Sequence, residues 1–134
     1  MIKSKVVILM LAMVVVGCAT YSEMRKMDKF KETSTAYGRA ISWSEFDVAS
    51  TFMKTKENEK YLQNLEQLKA FKVASYDLMK VVPSSDKSKV VQYAEISYFK
   101  IQTLVLKKLN DRQVWSYDDA EKRWLLESGL PEFK

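Results

Sequence analysis

The sequence predicts an α+β domain, with two to three N-terminal helices packed on one face of a curved antiparallel sheet of about four strands. Three observations point there. Apolar residues recur at helical steps from Met27 to Leu68, and β-branched and aromatic residues dominate from Phe71 onward. Between two extended runs, Pro83-Ser84-Ser85-Asp86-Lys87-Ser88 forms a turn cluster. Helices grouped ahead of consecutive strands favour one sheet covered on a single face over alternating crossover units.

The first helix is read from Met27, Phe30, Ser34, Tyr37 and Ile41, which recur at helical spacing with lysines and glutamates between them. That stripe predicts an amphipathic helix starting near Ser22 to Met24. Ser42-Trp43-Ser44-Glu45 has the capping-box pattern, Ser42 at the cap and Glu45 at the position that reaches back to it. A second helix is expected to follow, with Trp43, Phe46, Ala49, Ser50 and Met53 along one face. A third is expected over residues 57–69, with Tyr61, Leu62, Leu65 and Leu68 inward.

Residues 71–82 and 90–98 read as a hairpin around the turn cluster. In the second of these runs Val90, Gln92, Ala94, Ile96 and Tyr98 share one face, and Val91, Tyr93, Glu95 and Ser97 the other. A third strand is expected over residues 103–117 and a fourth over 123–127. A loop at residues 119–122 sets Asp118 opposite Arg123, Tyr117 opposite Trp124 and Trp115 opposite Leu126. Each such cross-strand pair contributes about 0.2–1 kcal/mol. Leu104 and Leu106 have the opposite parity to Trp115 and Tyr117, so a bulge near Asn110-Asp111 is expected to bring both sets to one face. Alternatively, Asn110-Asp111 forms a tight turn and a fifth strand follows. Phe133 is expected to tuck back onto the sheet.

The N-terminus has a different character. Lys3 and Lys5 precede residues 6–16, eleven apolar residues without a charge. Spanning a bilayer takes about 20 apolar residues, so this run is short for a span and reads as a secretory signal. It closes on Val15-Val16-Gly17-Cys18, which resembles the bacterial lipobox. The resemblance implies cleavage after Gly17, a diacylglycerol on the Cys18 thiol and acylation of the new N-terminus. Ala19 in place of aspartate after the cysteine implies the outer membrane, facing the periplasm. The expected organisation is a signal at residues 1–17, a lipidated tether at 18–23 and one domain at 24–134.

Composition bounds the chemistry. The chain has 134 residues, of which 47% are apolar and 12% aromatic, a globular profile. It contains no histidine, so no imidazole base, triad histidine or histidine metal ligand can be built from it. One cysteine excludes an internal disulfide framework and the usual zinc spacings. Loss of residues 1–17 removes Lys3 and Lys5 from the 22 basic residues and none of the 17 acidic ones, so the net charge falls from +5 to +3. No basic block is interleaved with aromatics, and no nucleic-acid partner is expected. Arg25, Lys26, Lys29 and Lys31 lie near enough to the anchor to touch anionic headgroups. Glu23, Asp28 and Glu32 interleave with them, and the pattern reads as a solvated helix face.

The order of helices followed by a meander, closing on the segment DRQVWSYDDAEKRWLLESGLPEF at residues 111–133, resembles small lipoproteins of unassigned role from Gram-negative bacteria. More distantly it is similar to the nuclear-transport-factor-like and cystatin-like folds, a curved sheet wrapped around a helix. That resemblance implies a cone between helix and sheet that holds a small ligand, in some members the site of an isomerase or cyclase. The residues that would line it are Asp47, Tyr37, Tyr76, Tyr93 and Tyr98, a carboxylate and phenols able to move a proton. They also fit ordinary packing, with tyrosine hydroxyls at the rim. Trp115, Tyr117 and Trp124 share a face by parity and are either core or an exposed platform for a partner. The expected function is a non-catalytic, lipid-anchored binding or interaction module, without cofactor or metal, whose partner is an envelope protein or a small apolar ligand. An isomerase or cyclase of cystatin-like fold and an envelope assembly subunit are the alternatives.

Overall fold

The computed structural model describes backbone elements from Ile2 onward and the side chains of residues 20–62 and 64–134. Among the described residues, four helices, α1 (Ile2–Ser42), α2 (Phe46–Ser50), α3 (Thr55–Gln63) and α4 (Leu65–Leu68), precede four strands, β1 (Phe71–Pro83), β2 (Lys89–Lys100), β3 (Leu106–Asp118) and β4 (Arg123–Leu126). The strands form one antiparallel meander in chain order, covered on one face by the helices. This is the α+β arrangement that the residue patterns predict.

The helical stripe of α1 supplies half of the core. Phe30, Ser34, Tyr37, Ala40 and Ile41 are buried. Across from them, Trp115 on β3 receives the edges of Phe30 and Tyr37 at centroid distances of 6.1 and 5.2 Å. Trp124 on β4 meets Phe30 at 5.1 Å. Edge-to-face geometry places positive ring edges on negative faces, worth about 0.5–1.5 kcal/mol per pair beyond the area buried. Phe133 does return to the sheet, where it lies against Phe46, Phe71 and Tyr98.

The end of α1 departs from the capping-box expectation. Ser42 belongs to the last turn of α1, and its hydroxyl donates back to the Gly38 carbonyl at 2.7 Å. Glu45 N–H donates to Ala40 O and Ser44 N–H to Ile41 O, both at 2.9 Å, which is the Schellman pattern. Ser44 occupies its left-handed position at φ 57°. A glycine would sit there more easily, but the Ser44 hydroxyl oxygen accepts from Val73 N–H at 2.8 Å and ties the helix end to β1. The cap of α2 is Glu45, without a side-chain bond, and Trp43 is 74% exposed rather than on the inner face. The helix of residues 57–69 is two short ones meeting at Asn64, and Leu62 points outward at 48% exposure. Residues 20–23, expected to start or precede the first helix, already carry its helical backbone.

Registers separate the expectations cleanly. Asp118↔Arg123, Tyr117↔Trp124 and Trp115↔Leu126 pair as expected. The charge pair between the first two does not form, because Asp118 Oδ1 accepts the N–H groups of Ala120 and Glu121 instead. Arg123 Nε donates to Glu121 at 3.0 Å, and its guanidinium also reaches Thr51 O. No bulge interrupts β3, whose pairing with β2 runs unbroken from Lys89↔Ser116 to Phe99↔Leu106, and no fifth strand forms among the described residues. Leu104 and Leu106 therefore stay outside the core, 72% and 61% exposed. The irregularities fall in β1, where Ala74 and Met79 are skipped between paired neighbours. Bulges on an edge strand twist it and blunt its capacity to pair with another chain.

Candidate functional site

The unbroken β2–β3 register brings two glutamines face to face beneath α1. Gln92 and Gln113 are register partners on the covered face, and both are fully buried. The Ser34 hydroxyl donates to Gln92 Oε1 at 2.9 Å, and Gln92 Nε2 donates to Gln113 Oε1 at 2.9 Å. Trp115 Nε1 donates to that same oxygen at 3.1 Å. Gln113 Nε2 in turn donates to the Tyr76 hydroxyl at 2.9 Å and to Asp111 Oδ2 at 3.0 Å. Gln113 is the hub, its oxygen accepting twice and its amide nitrogen donating twice, which uses its full capacity for donation.

Tyr37 stands beside this network without joining it. Its side chain is fully buried and its hydroxyl has no hydrogen-bond partner. Burial first, then the negative charge of Asp111 and the neighbouring Tyr76 and Tyr61 phenols, holds its ionisation well above the ordinary tyrosine range. Burial likewise raises Tyr76, against the opposing effect of the Gln113 bond. Asp111 is raised by burial too, and again the bond from Gln113 opposes the shift. At neutral pH both phenols stay protonated; the Tyr76 hydroxyl accepts from Gln113, whereas the Tyr37 hydroxyl neither donates nor accepts. Gly38 lets α1 approach this closely, since a Cβ there would stand 2.8 Å from Cε1 of Tyr76.

Of the residues singled out from the sequence, few meet. Asp47 is exposed and lines an open cleft of about 470 Å³ with Ser44, Phe46, Lys69 and Phe71, away from the glutamines. Tyr93 lies on the uncovered face of the sheet, in register with Lys80 and Arg112. Tyr98 is buried at the opposite end, and its hydroxyl meets the backbone O and N of Lys134, both at 3.3 Å. Trp115 and Trp124 are core residues, and Trp124 Nε1 donates to the Lys26 carbonyl at 2.8 Å. Tyr117 is half-buried at the rim, under the ammonium groups of Lys26 and Lys29. Those three aromatics thus share a face without forming an exposed platform. Gly17 and Cys18 lie outside the described side chains.

Sequence reasoning missed the hub, Gln113, and with it Asp111. The parity of Asp111 with Trp115 places it on the covered face once β3 runs straight, whereas the expected bulge obscured that signal. Among the described residues, no three acidic, cysteine or histidine side chains converge as a metal site would require. No helix among them is long and apolar enough to cross a membrane. No protein-family model, curated protein or solved structure matches the chain.

Proposed function

We propose that the chain is a lipid-anchored protein of the bacterial outer membrane, facing the periplasm, whose α+β domain is a non-catalytic binding or interaction module. The observation that carries this is Val15-Val16-Gly17-Cys18 closing an uncharged apolar run behind Lys3 and Lys5. One thioether-linked diacylglycerol plus an amide-linked chain supplies the two or more acyl groups that stable anchoring needs. The absence of histidine from the whole sequence supports the non-catalytic reading. So does an interior occupied by Phe30, Tyr37, Trp115 and Trp124 where a ligand cone would lie. Apolar side chains available to an envelope partner are Leu78, Met79, Val81 and Val82 along β1 and Leu104 and Leu106 beyond it.

An isomerase-type reading keeps one observation in its favour, the unpartnered Tyr37 hydroxyl close to Asp111. The anchored-module reading is tested by Cys18→Ser in the producing cell. The variant is expected to leave the membrane fraction or to retain its signal uncleaved. Normal processing with unchanged membrane association would overturn it. Affinity capture of the acylated protein from membranes, read for both proteins and small molecules, then tests the partner side of the proposal.

A further inference from the structure

Along the sequence, acids and bases of residues 22–32 alternate, but the helix sorts them. Glu23 and Asp28 turn toward a cleft shared with Met24, Met27 and Lys87. Arg25, Lys26 and Lys29 turn the other way, toward the β3–β4 turn. There they meet Lys122 and the rings of Tyr21 and Tyr117 in an open cleft of about 400 Å³. The ammonium groups of Lys26 and Lys29 stand 5.3 and 5.9 Å from the centroid of one ring, Tyr117, and the Arg25 guanidinium stands 5.9 Å from Tyr21. Among the described residues, none of these four cations has an ion-pair partner within 4.0 Å, although Asp119 also lines the cleft. Lys122 itself is held at φ 52°, a left-handed conformation in which glycine or asparagine is less strained.

We infer that this cleft binds the phosphate of an anionic glycerophospholipid headgroup beside the anchor. Cations converging on one ring repel each other, and a phosphate among them converts that repulsion into attraction while the aromatic faces hold the side chains in place. Position selects a lipid as the source. Arg25 follows Cys18 by seven residues in the sequence, or about 10 Å of helix at about 1.5 Å per residue. That is close to one screening length from a membrane surface at physiological salt. Exposed Tyr21 lines the cleft, an amphipathic ring of the kind found at headgroup level. The inference rests on the anchored-module reading for its geometry, and its test is independent of that reading.

The full chain in a maltoside detergent, which carries no phosphate, is treated with an amine-reactive reagent. Short-chain phosphatidylglycerol, the matched phosphatidylcholine or inorganic phosphate is present at equal concentration, and labelling is read lysine by lysine from peptide masses. Phosphatidylglycerol is expected to slow labelling of Lys26, Lys29 and Lys122 by about threefold or more relative to phosphatidylcholine, with exposed Lys56 and Lys100 unchanged. Lys122→Gly suits the backbone at that position and removes one charge, so it should raise the phosphatidylglycerol concentration needed to protect Lys26 and Lys29 by about fivefold. Equal protection by the two lipids, or protection indifferent to Lys122→Gly, overturns the proposal. Equal protection by inorganic phosphate overturns the lipid as source and leaves a free-phosphate site. The Cys18→Ser fractionation reads the anchor separately, so a chain can keep the cleft and lose the anchor reading, or the reverse.

Discussion

Replacing Tyr37 by phenylalanine should stabilise this protein, although it deletes a polar atom from the middle of its core. The hydroxyl is fully buried and unpartnered. A buried polar group without a hydrogen bond costs about 1–3 kcal/mol, the solvation it gives up on folding. Its removal also forfeits a few dispersion contacts of about 0.1–0.2 kcal/mol each. The net expectation is a gain of about 0.5–2 kcal/mol, or about 2–8 °C in Tm for a domain of this size. The ring contacts with Trp115 and Phe52 persist, because the phenyl group is unchanged. Urea unfolding followed by circular dichroism on wild type and Y37F measures it, with m unchanged and the midpoint raised. Tyr76→Phe is the internal control of opposite sign. The Tyr76 hydroxyl accepts from Gln113 at 2.9 Å, so its loss should cost about 1–2 kcal/mol. Destabilisation of Y37F by 1 kcal/mol or more would refute the reasoning, since it would mean the hydroxyl is bonded in solution, to water or to a bound molecule.

Three further outcomes follow from the same geometry. Gln113→Leu leaves the buried donors of Gln92 and Trp115 without their shared acceptor and should cost about 2–5 kcal/mol by the same unfolding assay. Gly38→Ala gains up to about 1 kcal/mol of helix propensity but drives a Cβ to 2.8 Å from the Tyr76 ring, which Gln113 holds. Overpacking of about 1–3 kcal/mol should win and leave the variant less stable. Asp111→Asn tests the buried carboxyl through pH. Burial raises the folded-state pKa of Asp111 above 3.8, so the native state binds its proton more tightly than the unfolded chain does. Wild-type stability therefore falls as pH rises from about 4 through that raised value. The variant should be the more stable at pH 7, with its advantage fading as pH drops below that window. Asp86 contributes with the opposite sign in both proteins. The Ser84 and Ser88 hydroxyls hold it at about 2, and its stabilisation is lost as pH falls through that value.

Legibility in the sequence tracked locality. The α1 stripe was readable because each turn repeats the same demand for apolar side chains, and Phe30, Tyr37 and Ile41 are where that repeat places them. The β3–β4 register was readable because a short turn fixes it, and Trp115 meets Leu126 as the spacing requires. The end of α1 was not, since Ser44 takes a position where glycine is the usual marker and holds it through a bond to Val73, far along the chain. The single bulge expected near Asn110-Asp111 is absent from β3, because Leu104 and Leu106 do not turn inward. They sit beyond the helical cover, and the irregular strand is the edge, β1. The glutamine pair was hidden for a related reason: alternation places Gln92 on the covered face, but only its partner strand shows that Gln113 waits there to satisfy it. The basic cleft needed three dimensions outright, since Lys122 joins Arg25, Lys26 and Lys29 from the far end of the sequence.

Cys18 is proposed as the first residue of the mature protein and its attachment to lipid. The mass of the N-terminal peptide, from protein extracted from the membranes of the cell that makes it, tests this most directly. The expected peptide begins at Cys18, carries a thioether-linked diacylglycerol and has an acylated amine. A peptide that retains residues 1–17, or one with a free Cys18 thiol, would contradict it.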